Sequence, residues 1–140
     1  MWLLYAFLSA FTAALVAIFG KLGLKNIDST LATSIRAIIM AGFLFFVSLA
    51  FRKFNGFTFS SLNNKDWLLI TLSGIAGALS WLFYFFALKY GGAGKVVAID
   101  RLSIIFVILL AALFLGEGLT WRSIAGSVLI ASGAILISLK

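Results

Sequence analysis

The sequence predicts an all-α integral membrane protein, a bundle of five transmembrane helices, and three observations carry that prediction. Apolar residues fill 64% of the 140 positions and charged residues 11%, whereas a soluble domain is nearer half apolar and a quarter charged. The apolar residues gather into five continuous runs, each long enough to cross a hydrocarbon core of about 30 Å at about 1.5 Å per residue. Most of the cations stand at the ends of those runs, where they anchor helices and set orientation. Continuous runs exclude a transmembrane β-barrel, whose strands alternate over about ten residues.

The first span covers residues 2–20 and presents one face through Tyr5, Ser9, Thr12, Ala13, Val16 and Gly20. No cation precedes Trp2, so the run lacks the basic leader of a signal peptide and is expected to be retained. The second span, residues 30–51, is led by Asp28, Ser29 and Thr30, residue types that cap helix N-termini. The third, residues 67–88, repeats Ser73, Gly74, Gly77, Ser80, Trp81 and Tyr84 at three- and four-residue spacing, which makes one small and polar face. The fourth is residues 96–115, and the fifth, residues 122–139, follows Leu119 and Thr120. Gly126 with Gly133, and Ser127 with Ala131, give the fifth span small stripes suited to packing or dimer contact. The chain has no proline, so uninterrupted helices are expected. The connections are short, and residues 1–140 read as a single transmembrane domain. The longest connection, 52–66, carries Phe54, Phe57 and Phe59, rings suited to the membrane interface.

Composition also removes function classes. There is no His and no Cys, which excludes imidazole acid–base catalysis, thiol chemistry and disulfides, and leaves no ligand set for a structural zinc. The four carboxylates, Asp28, Asp66, Asp100 and Glu117, assemble no catalytic constellation, so neither an enzyme nor a bound metal or cofactor is expected. The net charge of +7 flanks apolar runs instead of covering one face, which argues against nucleic acid and for the lipid bilayer as partner. A multi-pass protein of the cell (plasma or inner) membrane is expected.

Orientation is nearly balanced. Arg52, Lys53, Lys65 and Arg122 fall on one side, and Lys21, Lys25, Lys89, Lys95 and Lys140 on the other, four cations against five. So small a bias gives the insertion machinery weak orientation information and opens the possibility of dual topology. Adding the intramembrane Arg36 and Arg101 makes the count four against seven and favours an external N-terminus.

Arg36 lies about two turns into the second span, Asp100 about one turn into the fourth, and Arg101 follows it. Ionised groups inside a span are costly and face a bundle interior or a water-filled cavity. Two readings stand side by side. One is an ion pair of Asp100 with Arg36 or Lys21, with Arg101 reaching for the headgroups. The other is a charged vestibule for a substrate or coupling ion, to which Trp81 and Tyr84 would contribute rings that need room and polar atoms that need partners. Arg36, Trp81, Tyr84 and Asp100 are the candidate cavity residues, with Lys21 and Arg101 as a neighbouring charge cluster. Glu117 is expected to cap a helix or pair with Arg122.

Over essentially its full length the chain resembles the EamA branch of the drug/metabolite transporter superfamily. The residues that carry the resemblance are Lys21, Arg36, the run Leu113-Phe114-Leu115-Gly116-Glu117-Gly118-Leu119-Thr120, and Ile124, Gly126 and Gly133. Gly126-x-x-Leu129-Ile130-x-x-Gly133 is also similar to the dimerisation helix of small multidrug resistance proteins. EamA transporters typically carry two inverted five-span repeats, and this sequence reads as one. The resemblance therefore implies an antiparallel homodimer that reproduces a ten-helix transporter and moves a small metabolite or drug by alternating access. A lipid-linked substrate flippase and a non-transporting membrane subunit are the alternatives. The chain departs from the family in lacking proline, with Asp100-Arg101-Leu102-Ser103 where a proline-containing stretch is common. It also lacks the first-helix Glu of the small multidrug resistance proteins, so proton-driven export of cationic drugs does not carry over.

Overall fold

The computed structural model describes residues 1–58 and 62–139. Phe59, a ring expected at the membrane interface, and Lys140, one of the flanking cations counted above, lie outside them. Among the described residues five helical stretches are long and apolar enough to cross a membrane. In lipid every backbone N–H and C=O must find a partner within the chain, and a helix supplies it locally. The elements are α1 (Trp2–Gly23), α2 (Ser29–Ala50), α3 (Asn64–Tyr90), α4 (Ala93–Asp100), α5 (Ser103–Leu110) and α6 (Trp121–Ser138). A π-helical turn, Ala111–Leu115, continues α5. The fourth span is therefore α4, α5 and the π turn together.

Polar residues at the helix ends set the boundaries. Asp28 caps α2, its Oδ1 accepting the N–H of Thr30 at 2.8 Å and of Leu31 at 3.1 Å. Asn63 and Asp66 form a reciprocal capping box: Asn63 Oδ1 accepts the Asp66 N–H at 2.8 Å and Asp66 Oδ2 accepts the Asn63 N–H at 3.1 Å. That box starts α3 at Asn64, ahead of its apolar run. Thr120 caps α6 by accepting the Ser123 N–H at 3.1 Å. At the other end of α2 the N–H of Arg52 bonds to Leu49 O and that of Lys53 to Ser48 O, both at 2.9 Å, the paired bonds of a Schellman stop. Arg52 takes the left-handed position there, with φ 52°, where glycine would be unstrained. Phe54 folds back on α2, its ring centroid 5.6 Å from that of Phe45.

The carboxyl of Asp28 is held below its ordinary value of 3.8 chiefly by the N–H of Leu31, and further by the N–H of Thr30 and the charge of Lys89, with desolvation opposing. A depressed folded-state pKa means that the charge contributes stability above the ordinary carboxylate value, and that this contribution is lost as pH falls through the folded value. Asp28→Asn keeps the cap without the titration. On going from neutral pH to about pH 3 the parent should lose more thermal stability than Asp28→Asn; equal losses would show that the cap charge plays no part.

Uninterrupted helices were expected, and the fourth span departs from this. It breaks at Arg101 and Leu102, where Leu102 N–H bonds to Ile99 O, Ile104 N–H to Arg101 O and Ile105 N–H to Leu102 O, at 2.9, 3.2 and 3.0 Å. These are i to i−3 bonds, a local tightening into 3₁₀ geometry that interrupts the α ladder without proline. Further on, the Glu117 N–H reaches the Ala111 carbonyl at 3.2 Å, spanning the π turn. Gly116 follows the turn with φ +68°, a left-handed conformation that favours glycine.

The chain divides into two compact units, residues 1–21 with 90–140, and residues 22–89. In the first, α4 packs on α6 and α5 makes a lesser contact with α6. Small residues allow this approach: Ala98 is 8% exposed and Ala134 4%. The Lys95 ammonium donates to the Ser138 carbonyl at 3.2 Å, covering the last turn of α6, and that of Lys21 donates to the Gly91 carbonyl at 2.8 Å. In α6, Ser127 and Ala131 lie half-buried on the face that includes Ala134. Gly126 and Gly133 are also half-buried, yet a Cβ at either would meet no atom within 4 Å. Glu117 and Arg122 are exposed, and among the described residues no ion pair joins them.

Candidate functional site

The unit of residues 22–89 holds a cavity of about 700 Å³ lined by α2 and α3, within the range of small-molecule sites. From α2 come Thr30, Thr33, Ser34 and Arg36, then Ala37, Met40, Ala41 and Leu44. From α3 come Ser73, Gly74, Gly77, Ala78, Trp81 and Leu82. Hydroxyls and the guanidinium occupy the first two turns of α2, and its later turns are apolar. Facing them, α3 supplies two glycines at three-residue spacing, so the wall recedes there: a Cβ at Gly74 or Gly77 would meet nothing within 4 Å.

Arg36 is the single charged residue in this lining among the described residues. Its Cζ lies 3.6 Å from the centroid of the Trp81 ring and 5.4 Å from that of Phe85. A guanidinium on an indole face gains roughly 0.5–2 kcal/mol from the ring quadrupole. The rings are fixed in turn. Tyr84 meets Trp81 edge to face at 5.5 Å, and Phe85, 3% exposed, meets Trp81 at 6.1 Å and Tyr84 at 6.3 Å. Edge-to-face geometry puts the positive edge of one ring on the negative face of another. The result is a rigid aromatic block on α3 against which the flexible arginine is held.

The hydroxyls at the head of α2 are aligned by their own helix. Thr33 Oγ1 donates to Ser29 O at 2.7 Å and Ser34 Oγ to Thr30 O at 2.9 Å, leaving their lone pairs as acceptors. Thr12, Ser127 and Ser132 are likewise bonded to carbonyls of their own helices. These hydroxyls satisfy themselves on the backbone of their own helices. Ser29 is fully buried, and its Oγ has no hydrogen-bond partner among the described residues.

Of the residues expected to form a cavity, Arg36 and Trp81 line this one, and Tyr84 braces Trp81. Asp100 ends α4 and Arg101 follows it, both exposed and both in the unit of residues 1–21 and 90–140. Lys21 belongs to that unit too, with its ammonium on Gly91. Sequence reasoning missed Phe85, Thr33 and Ser34. Phe85 stands four residues after Trp81, the helical spacing that places two rings on one face.

Comparison with known proteins follows this geometry. The EamA-like transporter family profile matches residues 1–139. An "Uncharacterized transporter in cobO 3'region" of Sinorhizobium sp is 39% identical over 137 residues, which cover 98% of this chain and 96% of that protein. A "Probable terminal-alkyne amino-acid exporter" of Streptantibioticus cattleyicolor is 37% identical over 78 residues, 53% of this chain but 25% of the exporter. No solved structure matches. With five membrane-crossing helices and a family match along nearly its whole length, the chain belongs to the EamA-like transporter family and is a multi-pass membrane transporter.

Proposed function

We propose that the chain moves a small metabolite or drug by alternating access within an antiparallel homodimer in the cell membrane. The cavity between α2 and α3, with Arg36, Trp81 and Tyr84, is the substrate site of each protomer, and Asp100 is a second candidate substrate-pathway residue, in the other unit. One observation carries this reading: a cavity of about 700 Å³ whose lining holds one charged side chain, stacked on an aromatic block inside membrane-crossing helices. Three others support the dimer. The Sinorhizobium relative is nearly the same length as this chain, since the match covers 98% of one and 96% of the other. The flanking cations number four against five, which suits insertion in both orientations. Gly126 and Gly133 leave an uncrowded small stripe on α6 that a second copy can approach closely. Rocking of the two copies about the central sites would open each face in turn.

Liposomes containing this protein alone should show saturable flux in a screen of amino acids, sugars, nucleosides and cationic drugs. C-terminal reporter fusions should be active on both sides of the membrane. Absence of any flux would favour a membrane subunit that needs a partner. Reporters active on one side alone would end the antiparallel arrangement.

A further inference from the structure

We propose that the cavity between α2 and α3 takes an amphipathic monoanion, with its oxyanion head on Arg36 and its apolar body along the glycine-lined wall of α3. The proposal rests on the reading of this cavity as the substrate site and adds the class of molecule that enters it.

The cavity carries one positive charge and, among the described residues, no carboxylate in its lining. The carboxylates of the same unit are engaged at helix starts, Asp28 on the N–H groups of Thr30 and Leu31 and Asp66 on that of Asn63. What the structure gives Arg36 is rings: Trp81 at 3.6 Å and Phe85 at 5.4 Å. Stacking over a ring engages the face of a guanidinium and directs its five N–H donors, which lie in the plane of the group, away from that ring. A ring-stacked arginine therefore keeps the fork that fits a carboxylate or phosphate with two parallel bonds, and the stack holds that fork in place beforehand. A cation in a span faces the bundle interior or a water-filled cavity and is matched by an opposite charge or by carbonyls, and among the described residues the lining holds no carboxylate for Arg36.

The rest of the lining defines the body of the ligand. Beyond Arg36, α2 presents Ala37, Met40 and Leu44, while Gly74 and Gly77 withdraw the opposite wall. That region has no charge to satisfy a second ionic group. An amine or dication would meet the Arg36 charge at close range and find no carboxylate in the lining. A sugar or nucleoside would leave most of its hydroxyls facing alkyl groups. One oxyanion with a short hydrocarbon or aromatic body matches both ends. This chemistry is shared by free carboxylic acids and by the headgroups of anionic lipids.

The test uses the full-length protein in zwitterionic-lipid nanodiscs and three ligands that share one body: hydrocinnamate, hydrocinnamamide and phenylpropylammonium. Calorimetric titration should show hydrocinnamate binding at least about tenfold more tightly than the other two, the factor expected for a charged hydrogen-bonded pair. Equal affinities, or tightest binding of the ammonium, would overturn the proposal with no variant needed. Arg36→Gln should erase the preference for the acid. Arg36→Lys should keep a reduced preference, since an ammonium retains the charge without the planar fork or the stack. Unchanged acid binding by Arg36→Gln would also overturn it. Phosphatidylglycerol in the disc distinguishes the two sources: competition with hydrocinnamate that needs Arg36 marks the lipid headgroup, and indifference marks the free acid, both upholding the oxyanion assignment. Flux of the same ligands separates this proposal from the transport reading. Acid-selective binding without movement of any of the three supports the site and counts against transport, whereas movement of the amide or ammonium alone supports transport and overturns the anion.

Discussion

Arg36→Ala is expected to lower substrate-dependent flux by at least about thirtyfold, the loss of roughly one charge-assisted contact, while leaving the protein as stable as before or more so. The two halves of this result pull apart for a physical reason. An arginine well inside a span costs about 2.5–3.5 kcal/mol on insertion scales, and its stack on Trp81 and Phe85 returns only part of that. Removing it relieves the helix of a burden and strips the cavity of its single charge. Flux in proteoliposomes and a detergent-based thermal melt, measured on the same preparation, check both halves. Loss of flux together with a large fall in melting temperature would make Arg36 a structural residue. Unchanged flux would remove the cavity assignment altogether.

The second large effect is expected from Gly77. This residue lines the cavity, and a Cβ there would meet no atom within 4 Å. Gly77→Leu should place an isobutyl group in the space offered to substrate and reduce flux by at least about tenfold, because a ligand that no longer fits loses its apolar contacts. The fold should tolerate the change, since the new side chain enters an open volume and not a packed interface. Gly77→Ala makes the control: flux is largely kept, and stability rises by about 0.5–1 kcal/mol as glycine leaves a helix interior. Had α3 been packed against α2 at this point, both changes would be destabilising and the leucine more so. Melting temperature across the pair decides between the arrangements, and flux decides whether the volume is used.

The spans were legible because a bilayer imposes one length on any crossing helix, and continuous apolar runs of that length leave few alternatives. The cap at Asp28 was legible for a local reason, a carboxylate ahead of a helix, whereas Gly116 stood out only through the resemblance carried by the run around it. The start of α3 was less so, since the Asn63–Asp66 box adds a polar turn before the apolar signal at Trp67 begins. The break in the fourth span was invisible, because proline is the strong cue for such an interruption and the chain makes its own with i to i−3 bonds around Arg101. At the site, Arg36 and Trp81 stand out as costly or bulky groups in apolar runs. Phe85 does not, being one of 15 phenylalanines, and its role comes only from its place beside Trp81 and the guanidinium. Thr33 and Ser34 were passed over because hydroxyls that bond their own helix leave no sequence mark of the face they line.

The interruption between α4 and α5 has a metrical consequence. A 3₁₀ residue advances the chain by about 2.0 Å and an α residue by about 1.5 Å. No imino ring holds the register here, so each N–H that shifts from the third to the fourth preceding carbonyl shortens the span by about 0.5 Å. For the bonds made by Leu102, Ile104 and Ile105 the change is about 1.5 Å, roughly one α-helical residue's rise. With these bonds in place the fourth span is longer by that amount than a continuous α-helix of the same residues would be, and the extra length is concentrated at Arg101 and Leu102, between α4 and α5.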